Sequence, residues 1–266
     1  MVTTTLSDIE LAHKMANAAG KVITPHFRTE IEYDNKDTAA GFDPVSEADR
    51  AAERTMRDIV DQFRHKDGFC GEEFADKVGS SGRVWVVDPI DGTRGFMCGT
   101  PTWGTLIALR SKSERVCLGL IDQPYIGERF WGTDGQAYFQ NRNSKKKIFT
   151  SRILDLSAAK LFSTFPEIGR THDRSGFKAV AHKVQLVRFG MDCYAYALLA
   201  AGYIELIIEA GLRPYDINAP IGLIEAAGGI VTNWSGQNAV NGGQVLAAAN
   251  QSLHLAALDL LKDYAD

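Results

Sequence analysis

Asp88 and Asp91 are two aspartates that stand where a buried strand should give way to a turn. The apolar run at 84–87 predicts the strand, and the proline and glycine that follow predict its end. Paired carboxylates at the end of a buried strand are costly unless a cation neutralises them. Mg²⁺ prefers such oxygen ligands, together with water and phosphate oxygens. Gly92 and Thr93 add backbone N–H groups that favour an anion, so metal and phosphate could meet in one turn.

Three further acids raise the same question, one of them with an adjacent partner, Glu73, and each also has an ordinary structural role. Asp49 falls in the first turn of a helix predicted at 46–63, where an acid complements the helix dipole. Glu72 and Glu73 end a short strand, where adjacent acids usually mark a solvated turn. Asp216 begins a predicted helix, where aspartate is a favoured N-cap. Because these acids are far apart in sequence, only the fold could bring them together.

Three motifs in this order resemble the inositol monophosphatase family of Mg²⁺-dependent, lithium-sensitive phosphatases: GEE at 71–73, DPIDGT at 88–93 and PYD at 214–216. The similarity extends along most of the chain. The resemblance implies an α+β fold, a layered αβαβα sandwich, and a homodimer. We expect a single catalytic domain over 1–266, with lobes at about 1–145 and 146–266.

The resemblance also implies a role for each matching residue. One Mg²⁺ would be held by Glu72, Asp88 and the Ile90 carbonyl, and another by Asp88, Asp91 and Asp216. Two or three ions are expected in all. Glu73 would support the ligands without binding an ion itself. Catalysis would depend on Glu72 and Asp91, and on Asp49 and Thr93, which would orient the attacking water. The phosphate would lie against Asp91, Gly92, Thr93 and Arg94. Paired ions of this kind clamp both oxygens of an in-line displacement, so no protein nucleophile is needed.

The leaving group is expected to meet Asp192, Glu209 and Asp216. Asp192 begins a predicted helix, so it is either an N-cap or a group that faces the leaving group, where inositol-specific relatives tend to carry a small residue. Two acids here favour a substrate with positive charge near its phosphate, although either can accept a hydroxyl. Arg188 either contacts phosphate or pairs with a surface acid.

Three stretches are similar to the histidinol-phosphate phosphatase branch of the family: PTWGTLIALR at 101–110, GLIDQP at 119–124 and DCYAYALLAAG at 192–202. That substrate carries an amine and an imidazole. Two features depart from the branch: Gly95 in the RGF segment, and Pro220, which we expect to interrupt the helix after Asp216.

Three functions therefore remain open from the sequence. The first is an L-histidinol-phosphate phosphatase of histidine biosynthesis, and the second is an inositol-1-monophosphatase or a broader sugar or polyol phosphatase. The third is a non-catalytic Mg²⁺- or Ca²⁺-binding module. The water-orienting pair of Asp49 and Thr93 argues against the third, because a structural metal site does not need it.

Composition excludes several other classes of protein. Of the 266 residues, 45% are hydrophobic and 23% are charged, as in ordinary globular proteins. The net charge of −4 argues against a nucleic-acid binder, and the basic run at 145–147 is expected to be a solvated loop. No window resembles a membrane span or a secretory leader, and four scattered cysteines indicate reduced thiols. We therefore expect a cytoplasmic protein with no membrane partner.

The spacing of apolar residues predicts the remaining elements. Ser7 and Glu10 form a capping-box pattern before a first helix whose apolar stripe runs to Phe27. The polar segment 29–42 is interpreted as a strand edge or a mobile loop, which the family often uses as a metal-responsive flap. Short β-rich runs at 105–109, 116–121, 129–132 and 136–139 predict an antiparallel meander. From about Leu161 strands and helices alternate.

Overall fold

The computed structural model describes residues 6–30, 32–35 and 44–266. Its helices are α1 Asp8–Ile23, α2 Glu47–Arg64, α3 Thr93–Met97, α4 Thr171–Ala181, α5 Asp192–Ala200, α6 Pro214–Ala226 and α7 Gln251–Leu261. Its strands are β1 Asp34–Asn35, β2 Pro44–Val45, β3 Gly68–Gly71, β4 Val84–Asp91, β5 Gly104–Arg110, β6 Val116–Gln123, β7 Glu128–Thr133, β8 Gln136–Gln140, β9 Lys145–Ile148, β10 Lys160–Ser163, β11 Leu186–Phe189, β12 Leu206–Leu212, β13 Ile230–Thr232 and β14 Gly243–Ala248.

Two large sheets organise the described part of the chain. The first has seven strands in the order β3-β4-β5-β6-β7-β8-β9, antiparallel except for the parallel pair β3 and β4. The second has five strands in the order β11-β10-β12-β14-β13 and mixes parallel with antiparallel pairs. Strands β1 and β2 form a separate antiparallel pair.

Helices cover the sheets in three layers. α1 and α2 pack together on one face of the first sheet, α5 and α6 lie between the sheets, and α4 and α7 pack together against the second sheet. Three clusters of buried apolar side chains fill the spaces between these layers. The fold is therefore the αβαβα sandwich that the resemblance implied.

The alternation of side chains along β4 decides where its aspartates point. Trp85 and Val87 pack toward α1 and α2, whereas Val86 packs into the cluster around α5 and α6. Because successive residues of a strand face opposite sides, Asp88 lies on the α6 side. The pairing register shifts between Asp88 and Asp91, which lets the strand bend before α3.

Glycine permits a close contact between β6 and the helix that carries Asp216. A Cβ atom at Gly119 would lie 2.1 Å from the carbonyl oxygen of Ala219, and one at Gly222 would lie 2.6 Å from the backbone nitrogen of Gly119. Both obstacles are backbone atoms, which cannot turn aside as a flexible side chain would. Helix α6 therefore lies directly on the first sheet.

Several predicted elements are confirmed. The capping box of α1 forms, since the Ser7 N–H donates to the Glu10 carboxylate at 2.8 Å and the Glu10 N–H donates to the Ser7 hydroxyl at 3.4 Å. α2 begins after Ser46, and the meander appears as β5 to β8. Helix α1 ends at Ile23, earlier than the apolar stripe suggested, and a 3₁₀ turn that contains a proline follows at Thr24–His26.

Other expectations were wrong. Pro220 does not interrupt α6, which is continuous from Pro214 to Ala226 because its buried residues, Ile217 to Ile224, are held by packing on both sides. The basic run at 145–147 is part of β9, paired with β8, and not a loop. The expected boundary between lobes at 145/146 thus falls inside a strand of the first sheet.

One helix was not predicted, and one predicted segment lies mostly outside the described residues. Helix α4 was missed, because its short polar sequence gives a weak apolar stripe. Most of the segment 29–42 lies outside the described residues, apart from 29–30 and 32–35, of which Asp34–Asn35 form β1. None of the described helices is long and apolar enough to cross a membrane.

Candidate active site

A cluster of acids lies where the end of β4 meets the start of α6. Asp88 and Asp91 come from β4, and Asp216 comes from the first turn of α6. One carboxylate oxygen from each lies within 4.8 Å of the other two. Asp88 is buried and its Oδ1 accepts the backbone N–H of Ile90 at 3.0 Å. Segments far apart in sequence therefore deliver three carboxylates to one place.

Glu72 and Asp49 lie close enough to act on this cluster. Burial raises the pKa of Asp88 well above its usual range, and the negative charges of Glu72, Asp91, Asp216 and Asp49 raise it further. Neither Asp88 nor Asp91 forms an ion pair with a lysine or arginine of the described residues. Five of the acids recognised in the sequence therefore lie close together: Asp49, Glu72, Asp88, Asp91 and Asp216. The two from β4 have no ion pair with a lysine or arginine among the described residues.

Asp91 is held by the helix that carries the leaving-group candidates. Its Oδ2 accepts the backbone N–H of Cys193 in α5 at 2.7 Å. Burial and the charges of Asp192 and Asp216 nevertheless raise the pKa of Asp91 well above its usual range. This hydrogen bond joins the metal-ligand candidates to the start of α5.

Asp49 and Thr93 are not hydrogen-bonded to each other in this structure. Asp49 completes the capping box of α2, with its Oδ2 accepting the Ser46 N–H at 2.9 Å and the Ser46 hydroxyl at 2.5 Å. The Thr93 hydroxyl donates to the Ile90 carbonyl at 3.1 Å. The ordinary role of Asp49 is thus present, and the water-orienting role of the pair stays a prediction. The Ile90 carbonyl keeps a second lone pair.

Asp216 also has its ordinary role, although not as the N-cap. Arg213 is the N-cap of α6, and its backbone N–H donates to Asp216 Oδ2 at 2.6 Å. The side chain therefore faces the acid cluster while one of its oxygens closes the helix start. The two roles are compatible, because a carboxylate offers two oxygens.

Asp192 is not a helix cap. It is the first residue of α5, and no side chain caps that helix. Its φ of 45° is left-handed, a conformation that aspartate tolerates better than most residues. Its Oδ2 accepts the Thr102 hydroxyl at 3.3 Å. A Cβ atom at Gly92 would lie 2.9 Å from the carboxyl carbon of Asp192, so this carboxylate rests directly against the turn after β4.

Glu209 is the second acid of the predicted leaving-group region, which consists of Asp192 and Glu209. The residue is 5% exposed, and its Oε1 accepts the backbone N–H of Thr164 at 2.6 Å and the Thr164 hydroxyl at 2.9 Å. Burial raises the pKa of Glu209 to about 7, and the charge of Asp192 acts in the same direction. Asp192 therefore lies close enough for its charge to act on Glu209.

The remaining candidates divide into near and distant residues. Arg94 is exposed in α3, and its guanidinium lies 5.0 Å from the centre of the Phe165 ring. Burial raises the pKa of Asp192, and the charge of Arg94 partly opposes this shift. Arg188 is exposed on the edge strand β11 and has no ion pair among the described residues, so the predicted surface pairing is not seen. Glu73 lies in the turn after β3, where its N–H donates to Glu53.

Sequence reasoning missed two buried groups beside the site. The Tyr196 hydroxyl is buried without a hydrogen-bond partner among the described residues, and burial together with the charges of Glu209, Asp91 and Asp216 raises its pKa well above the usual range. Glu53 is fully buried in α2. Neither residue left a clear signal in the sequence: Glu53 lies in a polar helix, and Tyr196 looked like an ordinary core residue of α5.

Comparison with known proteins decides the family. The sequence profile of the inositol monophosphatase family matches residues 6–264. The chain belongs to this family. Inositol monophosphatase relatives include a histidinol-phosphatase from Streptomyces coelicolor, 34% identical over 94% of this chain and 94% of the relative. The bifunctional phosphatase IMPL2 of Arabidopsis thaliana chloroplasts is 38% identical over 97% of this chain and 77% of its own length.

Solved structures of the family share the fold. An inositol monophosphatase from Zymomonas mobilis is 37% identical, with a TM-score of 0.84 over 96% of this chain and 97% of that one. An inositol monophosphatase from Thermotoga maritima superposes with a TM-score of 0.80 over 97% of this chain and 98% of that one, at 23% identity. The chain is thus a phosphoric monoester hydrolase of the inositol monophosphatase family, acting on phosphate monoesters.

Proposed function

We propose that this phosphatase is a Mg²⁺-dependent L-histidinol-phosphate phosphatase that acts in histidine biosynthesis. The observation that carries the proposal is the Asp192 carboxylate, which rests against Gly92 of the proposed phosphate-binding turn and whose charge acts on Glu209. Two carboxylates so close to the phosphate favour a leaving group that is itself cationic. Relatives named histidinol-phosphatase agree with this assignment.

The donor set of the acid cluster fits Mg²⁺. Its ligand atoms are carboxylate oxygens and one backbone carbonyl, the hard donors that Mg²⁺ takes, and the buried Asp88 has no cationic side chain to balance it within the described residues. Glu72, Asp88, Ile90, Asp91 and Asp216 would hold two or three ions. When bound, these ions would supply a water of lowered pKa and neutralise charge on the phosphate oxygens. Inhibition by Li⁺ is expected from the resemblance to lithium-sensitive members of the family.

The residues of this chain would then position the reaction. The first N–H groups of α3 lack partners within the helix, so the turn from Gly92 to Arg94 would receive the phosphate. The Thr93 hydroxyl already donates to the Ile90 carbonyl, which leaves its oxygen free to accept a hydrogen bond from the attacking water. Asp49 would accept a proton from the water. The water oxygen would attack phosphorus in line as the ester P–O bond breaks; one water proton would pass by way of Asp49 to the leaving alkoxide, and the other would stay on the phosphate.

Substrate recognition would depend on the α5 side of the site. Asp192 and Glu209 would bind the ammonium group of histidinol, and Asp216 would lie between leaving group and metal. Arg94 would contact the phosphate. Arg188 is exposed on the edge strand β11 and has no ion pair among the described residues, so it would be available to contact the phosphate.

A second candidate is an inositol-1-monophosphatase or a broader polyol phosphatase. The inositol monophosphatase of Zymomonas mobilis, at 37% identity, favours it. Glu209 supports it too, because a carboxyl group with a pKa of about 7 accepts hydroxyl hydrogen bonds without needing a cationic partner. We further propose a homodimer, on the family resemblance, and a cytoplasmic location.

The deciding experiment compares two substrates on one enzyme preparation. Phosphate release from L-histidinol phosphate and from inositol 1-phosphate would be measured with Mg²⁺ and with EDTA. A kcat/KM preference above about a hundredfold for histidinol phosphate, roughly 2.7 kcal/mol, is the expected result. Comparable or reversed rates would favour the second candidate, and activity that survives EDTA would remove the metal from the proposal.

A further inference from the structure

We propose that Glu53, braced by Arg57, is a positioning residue that holds the Glu72 turn in the geometry needed for metal binding. Both residues lie in α2, one and two turns beyond Asp49, and neither belongs to the motifs that identify the family. The inference rests on the proposed function, because it assumes that Glu72 is a metal ligand. Its evidence is the set of contacts between α2 and the turn after β3.

The Glu53 carboxylate binds the turn directly. Its Oε2 accepts the backbone N–H of Glu73 at 2.7 Å. Its Oε1 accepts two hydrogen bonds from Arg57, from Nε at 2.8 Å and from Nη2 at 2.7 Å. The side chain of Glu53 is fully buried, so these contacts replace water altogether. A buried carboxylate in this state requires its partners to stay in place.

Arg57 extends the same contact to the next residue of the turn. Its Nη2 also donates to the carbonyl of Phe74 at 3.0 Å, and its guanidinium lies 4.5 Å from the centre of the Phe69 ring in β3. Glu53 and Arg57 therefore fix an N–H and a carbonyl of two consecutive residues. A turn held at both groups has little freedom to rotate.

Gly71 secures the other side of Glu72. A Cβ atom at Gly71 would lie 2.3 Å from Glu53 Oε1, so only glycine lets the chain pass this close to the carboxylate. Glu72 thus stands between two residues that both touch Glu53. The helix that supplies Asp49 is the same helix that supplies this brace, which ties two parts of the acid cluster to one rigid element.

A carboxylate behind a metal ligand acts on affinity for the metal. Removing such supporting groups typically weakens metal binding or activity about 10- to 100-fold. A role limited to folding would lower stability and leave the affinity of the folded protein unchanged. The two roles therefore separate in a direct metal-binding measurement.

The test is Glu53→Gln, which keeps the size of the side chain and removes its charge. Binding of Mn²⁺ alone would be followed by electron paramagnetic resonance, and phosphate release would be titrated with Mg²⁺. We expect Mn²⁺ affinity to fall at least about tenfold and the Mg²⁺ requirement to rise in parallel, with kcat largely restored at high Mg²⁺. Unchanged Mn²⁺ affinity in a folded Glu53→Gln protein would overturn the inference.

The matched control is Glu47→Gln, on the same helix. Glu47 is exposed and pairs with Arg50 at 3.3 Å and with Arg54, away from the turn. This variant should bind Mn²⁺ as the wild type does. An equal loss in both variants would mean that any lost charge on α2 weakens binding, and that Glu53 has no special role.

A double-mutant comparison tests whether Glu53 acts through Glu72. Once Glu72→Gln has removed the ligand, Glu53→Gln should cause little further loss of Mn²⁺ affinity. Full additivity of the two losses would contradict the inference. Should Glu53→Gln fail to fold, Arg57→Lys keeps the positive charge and loses the bond to Phe74; it should show the same change in smaller size.

The proposed function and this inference fail in different ways. A wild-type protein with no metal-dependent phosphate release would overturn the proposed function. An active, metal-dependent wild type whose Glu53→Gln variant matches Glu47→Gln would overturn the brace alone.

Discussion

The acid cluster and the predicted leaving-group region, Asp192 and Glu209, are two carboxylate sites with opposite surroundings. In the cluster, Asp88 is surrounded by other negative charges. In the leaving-group region, Glu209 and Asp192 accept hydrogen bonds from neutral donors, Thr164 and Thr102. The first arrangement needs a cation to be stable, whereas the second tolerates its absence. Under the proposed function, the first site would carry out the chemistry and the second would select the substrate.

Asp91→Asn should produce the largest effect. This carboxylate is a proposed ligand of one ion and also borders the proposed phosphate position, so its loss should lower kcat at least about a thousandfold, equivalent to roughly 4 kcal/mol. The fold should survive, because an asparagine oxygen can still accept the Cys193 N–H. Circular dichroism and thermal unfolding in EDTA would check the fold, and turnover close to the wild-type kcat would refute the two-ion assignment.

Asp192→Asn should have a smaller and selective effect. Asparagine also tolerates a positive φ and keeps the shape of the side chain, so the change removes mainly the charge. We expect kcat/KM for histidinol phosphate to fall about 10- to 100-fold while inositol 1-phosphate is affected much less. Steady-state kinetics on both substrates would measure this. Equal losses would reduce Asp192 to a part of the scaffold.

Glu209→Gln should change how stability depends on pH. The folded-state pKa of about 7 exceeds the ordinary 4.5, so the folded protein keeps a proton that the unfolded chain releases. Wild-type stability should therefore fall, relative to the variant, as pH rises from about 4.5 to about 7. At about 1.36 kcal/mol per pKa unit the total is on the order of 3 kcal/mol.

Denaturant unfolding of the two proteins in EDTA, at pH 4.5 and pH 8, measures this difference directly. Since only the difference between the proteins is used, the titration of other groups cancels to first order. Parallel stability curves would show that Glu209 ionises normally, and the contrast between the two sites would then lose its electrostatic basis.

The sequence predicted the acid cluster better than its surroundings. Asp88 and Asp91 were recognisable because paired carboxylates at the end of a buried strand are destabilising unless a cation neutralises them. Glu53 was not recognised, because a glutamate in a polar helix gives no sign that it is buried. Its role depends on the close passage of Gly71, a tertiary contact that no local pattern encodes.

The fold shows the same division between local and tertiary information. The meander was predictable because each strand pairs with its sequence neighbour. The break expected at Pro220 is absent, since the local preference of proline is outweighed by the packing of α6 between the sheets. Strand β9 was expected to be a loop for a similar reason. Its three lysines are solvent-exposed, as expected, but they lie on a strand that pairs with β8.

That lysine-rich strand has a consequence for how the molecules behave toward each other. β9 is the free edge of the seven-stranded sheet, and its residues Lys145 to Lys147 are exposed. An open edge can recruit a strand from a neighbouring molecule and start aggregation. If the β9 edges of two molecules approached each other, their lysine ammonium groups would repel. This repulsion opposes the pairing of the two sheets and hence aggregation. Because salt screens charge over about 8 Å at physiological ionic strength, this protection should weaken in concentrated salt.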